Sequence, residues 1–243
     1  MGKNYQHSSS EHRRPGAYSL PILVLVAVIY GVLAHSTIWL TLDTGRIAAF
    51  SIGNALIIGL LVGQKRDCQI TALSLCYLAS FAANLAVGDP VTLAFGLATA
   101  NAIEIALVTY LLEKYAVHNK TFETLGEFGK TALVGVAVPL GPGLLAAAVT
   151  TNWYEAEFMA ALAQWLTAHC LPIPIFGSMV LIIRAAVANR HEFEMLTLRH
   201  WVQVLGAVAV AVPLIFVQRS EIYLMLAAPV VVFAAFRTGR LGT

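Results

Sequence analysis

The sequence predicts an all-α integral membrane protein, a bundle of eight transmembrane helices with both termini in the cytoplasm. Three observations carry this expectation. Of 243 residues 58% are hydrophobic and only 12% charged, with a mean hydropathy of +0.76, whereas a soluble domain is about 45–50% apolar. Apolar runs of the roughly 20 residues needed to cross a hydrocarbon core of about 30 Å recur along the whole chain. Lys and Arg are sorted between alternate connections, as cytoplasmic loops sort them.

The eight expected spans are Tyr18–Thr41, Ile47–Gly63, Ile70–Val87, Val91–Leu112, Thr131–Thr150, Phe158–Ile183, Trp201–Val217 and Ile222–Phe236. Residues 1–17, "MGKNYQHSSSEHRRPGA", lack the apolar core and cleavage site of a signal peptide, so they are expected to form a disordered cytoplasmic tail before a membrane domain at 18–243. With the N-terminus inside, Lys3, Arg13, Arg14, Lys65, Arg66, Lys114, Lys120, Lys130, Arg184, Arg190, Arg199, Arg237 and Arg240 fall on the cytoplasmic side, leaving only Arg46 and Arg219 outside. The external connections carry Asp43, Asp89, Glu155, Glu157 and Glu221 instead. Splitting the sixth span at Pro172 and Pro174 would destroy this asymmetry, so one kinked crossing is expected there.

The net charge of +2 then reflects basic loops facing anionic lipid, and no nucleic-acid partner is expected. The bilayer is the one partner composition demands. Cys68, Cys76 and Cys170 form no metal-ligand or disulfide spacing. No H-E-x-x-H, G-x-S-x-G or P-loop pattern occurs, so neither a catalytic residue nor a metal or cofactor is expected. In the long internal connection Phe122, Leu125 and Phe128 are spaced for one face of an interfacial helix.

Two spans have irregular centres, "VPLGPGLL" in the fifth and "LPIPIFG" in the sixth. Proline removes a backbone donor and clashes with the preceding turn, so both helices should kink or unwind. Either the kinks pack together or they frame a cavity between spans five and six. In the second span Gly59 and Gly63 make a small-xxx-small pattern, suited to close helix packing inside the bundle or against a membrane partner protein.

The residues that are expensive in lipid are the informative ones. Glu104 lies near the middle of the fourth span, where an ionised carboxylate costs at least ~2.5 kcal/mol. Asn101 precedes it by three positions and shares its helix face. That face must look into the bundle, and Glu104 must find a partner, a proton or both. The other intramembrane polar groups are His35, Asn54, Asn84, Gln164 and His169. An interhelical hydrogen bond accounts for each asparagine, and a satisfied core histidine accounts for His169. Glu104 fits either a protonated structural carboxyl or a functional one.

The set "FSIGNALIIGLLVG", "ASFAANLAVGD", "ATANAIEIALVTYLLEKY", "FMAALAQWLTAHC" and "VVVFAAFRTGRLG" resembles the membrane-associated sensor domain of the first type, the founder of the MASE group, over about residues 45–240. Members are eight-helix membrane modules joined to cytoplasmic GGDEF diguanylate cyclase, EAL phosphodiesterase or histidine kinase domains. On this resemblance Gly53, Asn84, Asn101, Glu104 and Trp165 match the family's scattered positions, and Arg237 and Gly239 match an Arg-x-Gly that follows the eighth span and hands the signal on. Where relatives carry a carboxylate four residues after the sixth-span Trp, this chain has His169, so a Glu104–His169 pair across the bundle is expected. The chain departs from the family at Phe50-Ser51-Ile52, where an aromatic-proline start is usual. The resemblance implies a noncatalytic bacterial inner-membrane sensor cut from its output domain, dimerising through that domain and responding to an unknown small-molecule ligand. Asn84, Asn101, Glu104, Trp165 and His169 are the sensing candidates, and Gly53, Gly59 and Gly63 are the packing ones. A small-molecule transporter, or a membrane substrate-binding subunit, and a scaffold docking a membrane partner are the competing readings.

Overall fold

Hydrophobic sequence with few breakers leaves the backbone one way to satisfy its polar groups away from water, the helix. The computed structural model describes residues 18–40, 51–116, 125–154 and 157–188, and every element among them is helical. These are α1 (Leu20–Leu40), α2 (Ile52–Leu61), α3 (Arg66–Ala86), α4 (Val91–Leu111) with a π-helical turn at Leu112–Ala116, α5 (Leu125–Ala137), α6 (Leu140–Tyr154), α7 (Phe158–Cys170), a π-helical turn at Ile173–Gly177, and α8 (Ser178–Ala188). Among the described residues five stretches are long and apolar enough to cross a membrane: Leu20–Trp39, Arg66–Ala86, Val91–Tyr115, Gly129–Tyr154 and Phe158–Leu181. The seventh and eighth expected spans, with Arg237 and Gly239, lie outside the described residues, as do the tail and Phe122.

α4 is the central helix, packed on α2, α3 and α6, while α1 lies on the outer side of α3. The outward faces remain apolar: Leu20, Leu25, Val28, Val32 and Trp39 of α1 are each more than half exposed. That is how a helix ends when its solvent is lipid. Hydroxyls on these helices are satisfied within their own turns, Thr71 Oγ1 donating to the Asp67 carbonyl at 2.8 Å and Thr99 Oγ1 to the Phe95 carbonyl at 2.7 Å.

Of the second expected span, Ile47–Gly63, the structure describes residues 51–63. α2 has ten residues, about 15 Å at the α-helical rise, and its described part is a core helix: Ala55, Ile57, Ile58, Gly59 and Leu61 are all buried. Hydropathy cannot separate a helix buried in protein from one buried in lipid. Gly59 permits this burial, since a Cβ there would stand 2.6 Å from Val180 Cβ and 2.8 Å from the Gly177 carbonyl oxygen. Gly59 thus packs inside the bundle and offers no free surface to a partner protein. Gly53 likewise packs inward, its Cβ position 3.0 Å from the Tyr30 ring. Gly63 is no packing residue. It follows the helix end with φ 76°, the left-handed conformation that glycine adopts without a Cβ penalty, and so stops α2.

The kinks expected at the prolines are present. α5 gives way to α6 at Val138–Pro139, and the Gly143 N–H reaches the Pro139 carbonyl at 2.8 Å to restart the helix. α7 runs through Pro172 and the π-helical turn into α8 without reversing, which is the single bent crossing expected of this segment. The bends pack together: a Cβ on Gly135 would meet Pro174 Cδ at 2.9 Å, and one on Gly143 would meet Trp165 Cδ1 at 2.8 Å. Of the two arrangements expected of these bends, packed together or framing a cavity, the contacts at Gly135 and Gly143 are those of the packed one. Leu125 and Phe128 stand in the first turns of α5, which continues into the fifth span instead of forming a separate interfacial helix.

Candidate functional site: a buried carboxylate, imidazole and amide network

Glu104 sits thirteen residues into α4, about 20 Å along the helix, and is fully buried. At that depth a carboxylate needs hydrogen-bond donors, and two other helices supply them. His169 Nδ1 lies 2.7 Å from Glu104 Oε1, and Asn54 Nδ2 donates to the same oxygen at 2.8 Å. The pair expected across the bundle is therefore a direct contact. The second carboxyl oxygen, Oε2, has no hydrogen-bond partner among the described residues.

Asn54, in the first turn of α2, is the hub. Its Nδ2 also donates to Asn101 Oδ1 at 2.9 Å, and its Oδ1 accepts from the Tyr30 hydroxyl at 2.8 Å. Both amide protons are thus used, and one side chain ties α1, α2 and α4 together. Asn101 Nδ2 reaches on to Ser80 Oγ of α3 at 3.3 Å. On α7, Trp165 lies four residues before His169 and stacks on its ring, centroids 3.9 Å apart and planes 12° off parallel. The indole holds the imidazole flat against the bundle, with Nδ1 fixed on Glu104. The helical repeat explains why a Trp at that spacing serves: i and i+4 lie one above the other.

Above this network lies a cavity of about 50 Å³, bounded by Tyr30, Asn54, Asn84, Asn101, Trp165 and His169 among others. Asn84 lines it but does not join the network, since its Nδ2 donates to the Ser80 carbonyl of its own helix at 2.8 Å. His35 and Gln164 do not line it.

A second polar cluster grips the other end of α2. Arg184 Nη1 of α8 donates to the carbonyls of Gly59 at 2.7 Å and Val62 at 2.8 Å, occupying acceptors that a helix C-terminus leaves unpaired. Glu113 Oε1 accepts from the Gly63 N–H at 2.7 Å and from Gln69 Nε2 at 2.6 Å, and Gln69 Nε2 also donates to the Leu61 carbonyl at 3.1 Å. Arg184 and Glu113 stand one residue beyond the ends of their expected spans, Ile183 and Leu112, where a charge reads in the sequence as a simple boundary mark.

The link between α3 and α4 also holds more than a loop charge. Asp89 is buried and accepts from the Tyr154 hydroxyl at 2.6 Å, pinning α6 to the α3–α4 turn. Among the described residues no group of three His, Cys, Asp or Glu side chains is placed to hold a metal ion. The chain matches no protein-family model, no curated protein and no solved structure.

Proposed function

We propose that this chain is a noncatalytic, multi-pass membrane sensor module of the MASE type, with the Glu104–His169–Asn54–Asn101 network as its sensing element. In this reading the module sits in a bacterial inner membrane with both termini in the cytoplasm. It regulates a cytoplasmic output domain, a cyclic di-GMP cyclase or phosphodiesterase or a histidine kinase. The observation that carries the reading is the convergence of four helices on one fully buried carboxylate. A structural carboxyl needs one or two donors from a neighbour; this one is tied through Asn54 to α1 and α2 and through His169 to α7, so a change in its state is felt by every helix that meets there.

The mechanical route is α2. Its first turn carries Asn54 and its last carbonyls are held by Arg184 of α8. A signal that binds one arrangement of this network more tightly than another biases the two packings, and α8 carries the difference toward the cytoplasmic end. The kinks of spans five and six, which would favour a transporter if they framed a cavity, are in contact at Gly135 with Pro174 and at Gly143 with Trp165.

The test is output. Placed upstream of a diguanylate cyclase domain in bacterial membranes, the wild-type chain and Glu104→Gln should insert equally and yield different cyclic di-GMP levels. Identical levels under every stimulus that moves the wild type would rule out a sensing role for Glu104.

A further inference from the structure

Of the network's atoms, one titratable nitrogen is turned away from Glu104. His169 is committed at Nδ1 to Glu104 Oε1, and His169 itself lines the 50 Å³ cavity together with Asn84, Asn101, Ser51 and Ser80. A cavity of this size holds about three water molecules and is far smaller than the several hundred Å³ of an organic-ligand pocket. Its wall sets the amides and hydroxyls of Asn84, Asn101, Ser51 and Ser80 beside apolar side chains, which gives water hydrogen-bond partners, and the ligand that water delivers to an imidazole is a proton.

We propose that the cavity is a proton-access path and that His169 Nε2 is the proton-binding atom. With Nδ1–H donated to Glu104, the pair carries a net charge of −1, steadied by the Asn54 amide. A proton arriving at Nε2 makes the pair neutral, either as imidazolium and carboxylate or, after the Nδ1 proton passes to Oε1, as imidazole and carboxylic acid. No other reactant is needed. Neutralisation weakens the pull of Glu104 on the Asn54 amide and frees α2 from its fixed register. This deepens the sensing reading by naming its stimulus.

Among the described residues, Tyr30 on α1, Cys76 on α3 and Cys170 on α7 are the other titratable groups near the pair. Asn54 and Asn101 face it uncharged from α2 and α4, and residues 131–153 of α5 and α6 include no titratable side chain. No Lys, Arg or Asp lines the cavity.

The experiment reads proton occupancy and not output, so it can fail while the sensor role stands, and the reverse. Trp165 stacks on His169, and an imidazolium quenches indole emission far more than a neutral imidazole does. In the full chain purified in lipid nanodiscs, with Trp39, Trp153 and Trp201 replaced by Phe, Trp165 emission should fall as pH is lowered. The fall should be lost in His169→Gln. Unchanged circular dichroism and gel-filtration elution at neutral pH certify folding of each variant. Emission independent of pH in the wild type, or an equal fall in His169→Gln, overturns the proposal. Ala34→Leu, which places an apolar side chain in the cavity, should slow the emission change after a pH jump, and an unchanged rate overturns the cavity as the path.

Discussion

Asn54 and Asn84 offer a matched pair of deletions. Both are asparagines on membrane helices, both are 2% exposed, and both line the same cavity, so truncation to alanine removes the same atoms from similar surroundings. They differ in their bonds. Asn54→Ala breaks three interhelical hydrogen bonds, to Tyr30, Asn101 and Glu104 at 2.8–2.9 Å, and leaves three buried polar atoms short of a partner. Asn84→Ala breaks one bond, to a carbonyl of its own helix, which persists when helices separate without melting. Interhelical hydrogen bonds in membranes average about 0.6 kcal/mol and reach about 1.7, so Asn54→Ala should destabilise the bundle by about 2–5 kcal/mol and Asn84→Ala by under about 1 kcal/mol. Reversible unfolding in mixed micelles of a mild detergent and dodecyl sulfate, followed by circular dichroism, measures both. Losses equal within about 0.5 kcal/mol, the tolerance of such comparisons, would refute Asn54 as the hub.

Other substitutions probe other parts of the fold. Glu104→Gln should reach the membrane fraction at wild-type yield while Glu104→Lys should not, because a cation there meets His169 and the amide protons of Asn54 with no acceptor to spare; membrane fractionation separates the two. Gly59→Ala puts a Cβ 2.6 Å from Val180 Cβ, and overpacking of this kind typically destabilises by about 1–3 kcal/mol, readable in the same micelle titration. Gly63→Ala forces a Cβ into the conformation at φ 76°, at a cost of about 1–2 kcal/mol. Arg184→Gln removes the donor on the last carbonyls of α2, so amide hydrogen exchange should quicken at residues 59–64 while the Trp165–His169 stack, followed by emission, is unchanged.

Glu104, Asn101 and His169 were legible in the sequence for one reason: each is too costly in lipid to stand alone, so the chain must bring them together. The same reasoning named Asn54 as polar but gave it no rank, because an asparagine with one bond and an asparagine with three look alike in a sequence. Tyr30 was missed altogether. Its ring suits any apolar surface, and only the 2.8 Å contact to Asn54 shows what its hydroxyl does. The prolines gave the bends, yet whether bends enclose space or fill it depends on Gly135 and Gly143 facing Pro174 and Trp165, which is tertiary information. That α2 is buried in protein was not legible, because Ile57, Ile58 and Leu61 are equally apolar against lipid or against the side chains of the bundle.

The burial of α2 bears on mechanism. A helix with a lipid face is held in depth by the bilayer, whereas α2 between Asn54 and Val62 has almost no surface for lipid to hold. Its position is fixed instead by the side chains around it and by two polar clusters, one at each end, built from different helices. Asn54 meets α1, α4 and, through Glu104, α7; the C-terminal carbonyls meet α8, and Gly63 meets Glu113 beyond α4. Because α7 and α8 are one bent rod, His169 pulls on the first end of α2 and Arg184 on the other from the same crossing. A change in the bond at His169 therefore alters the balance between the two grips, and the π-helical turn at Ile173–Gly177, packed against α2, is the one irregular stretch between them where the rod can yield.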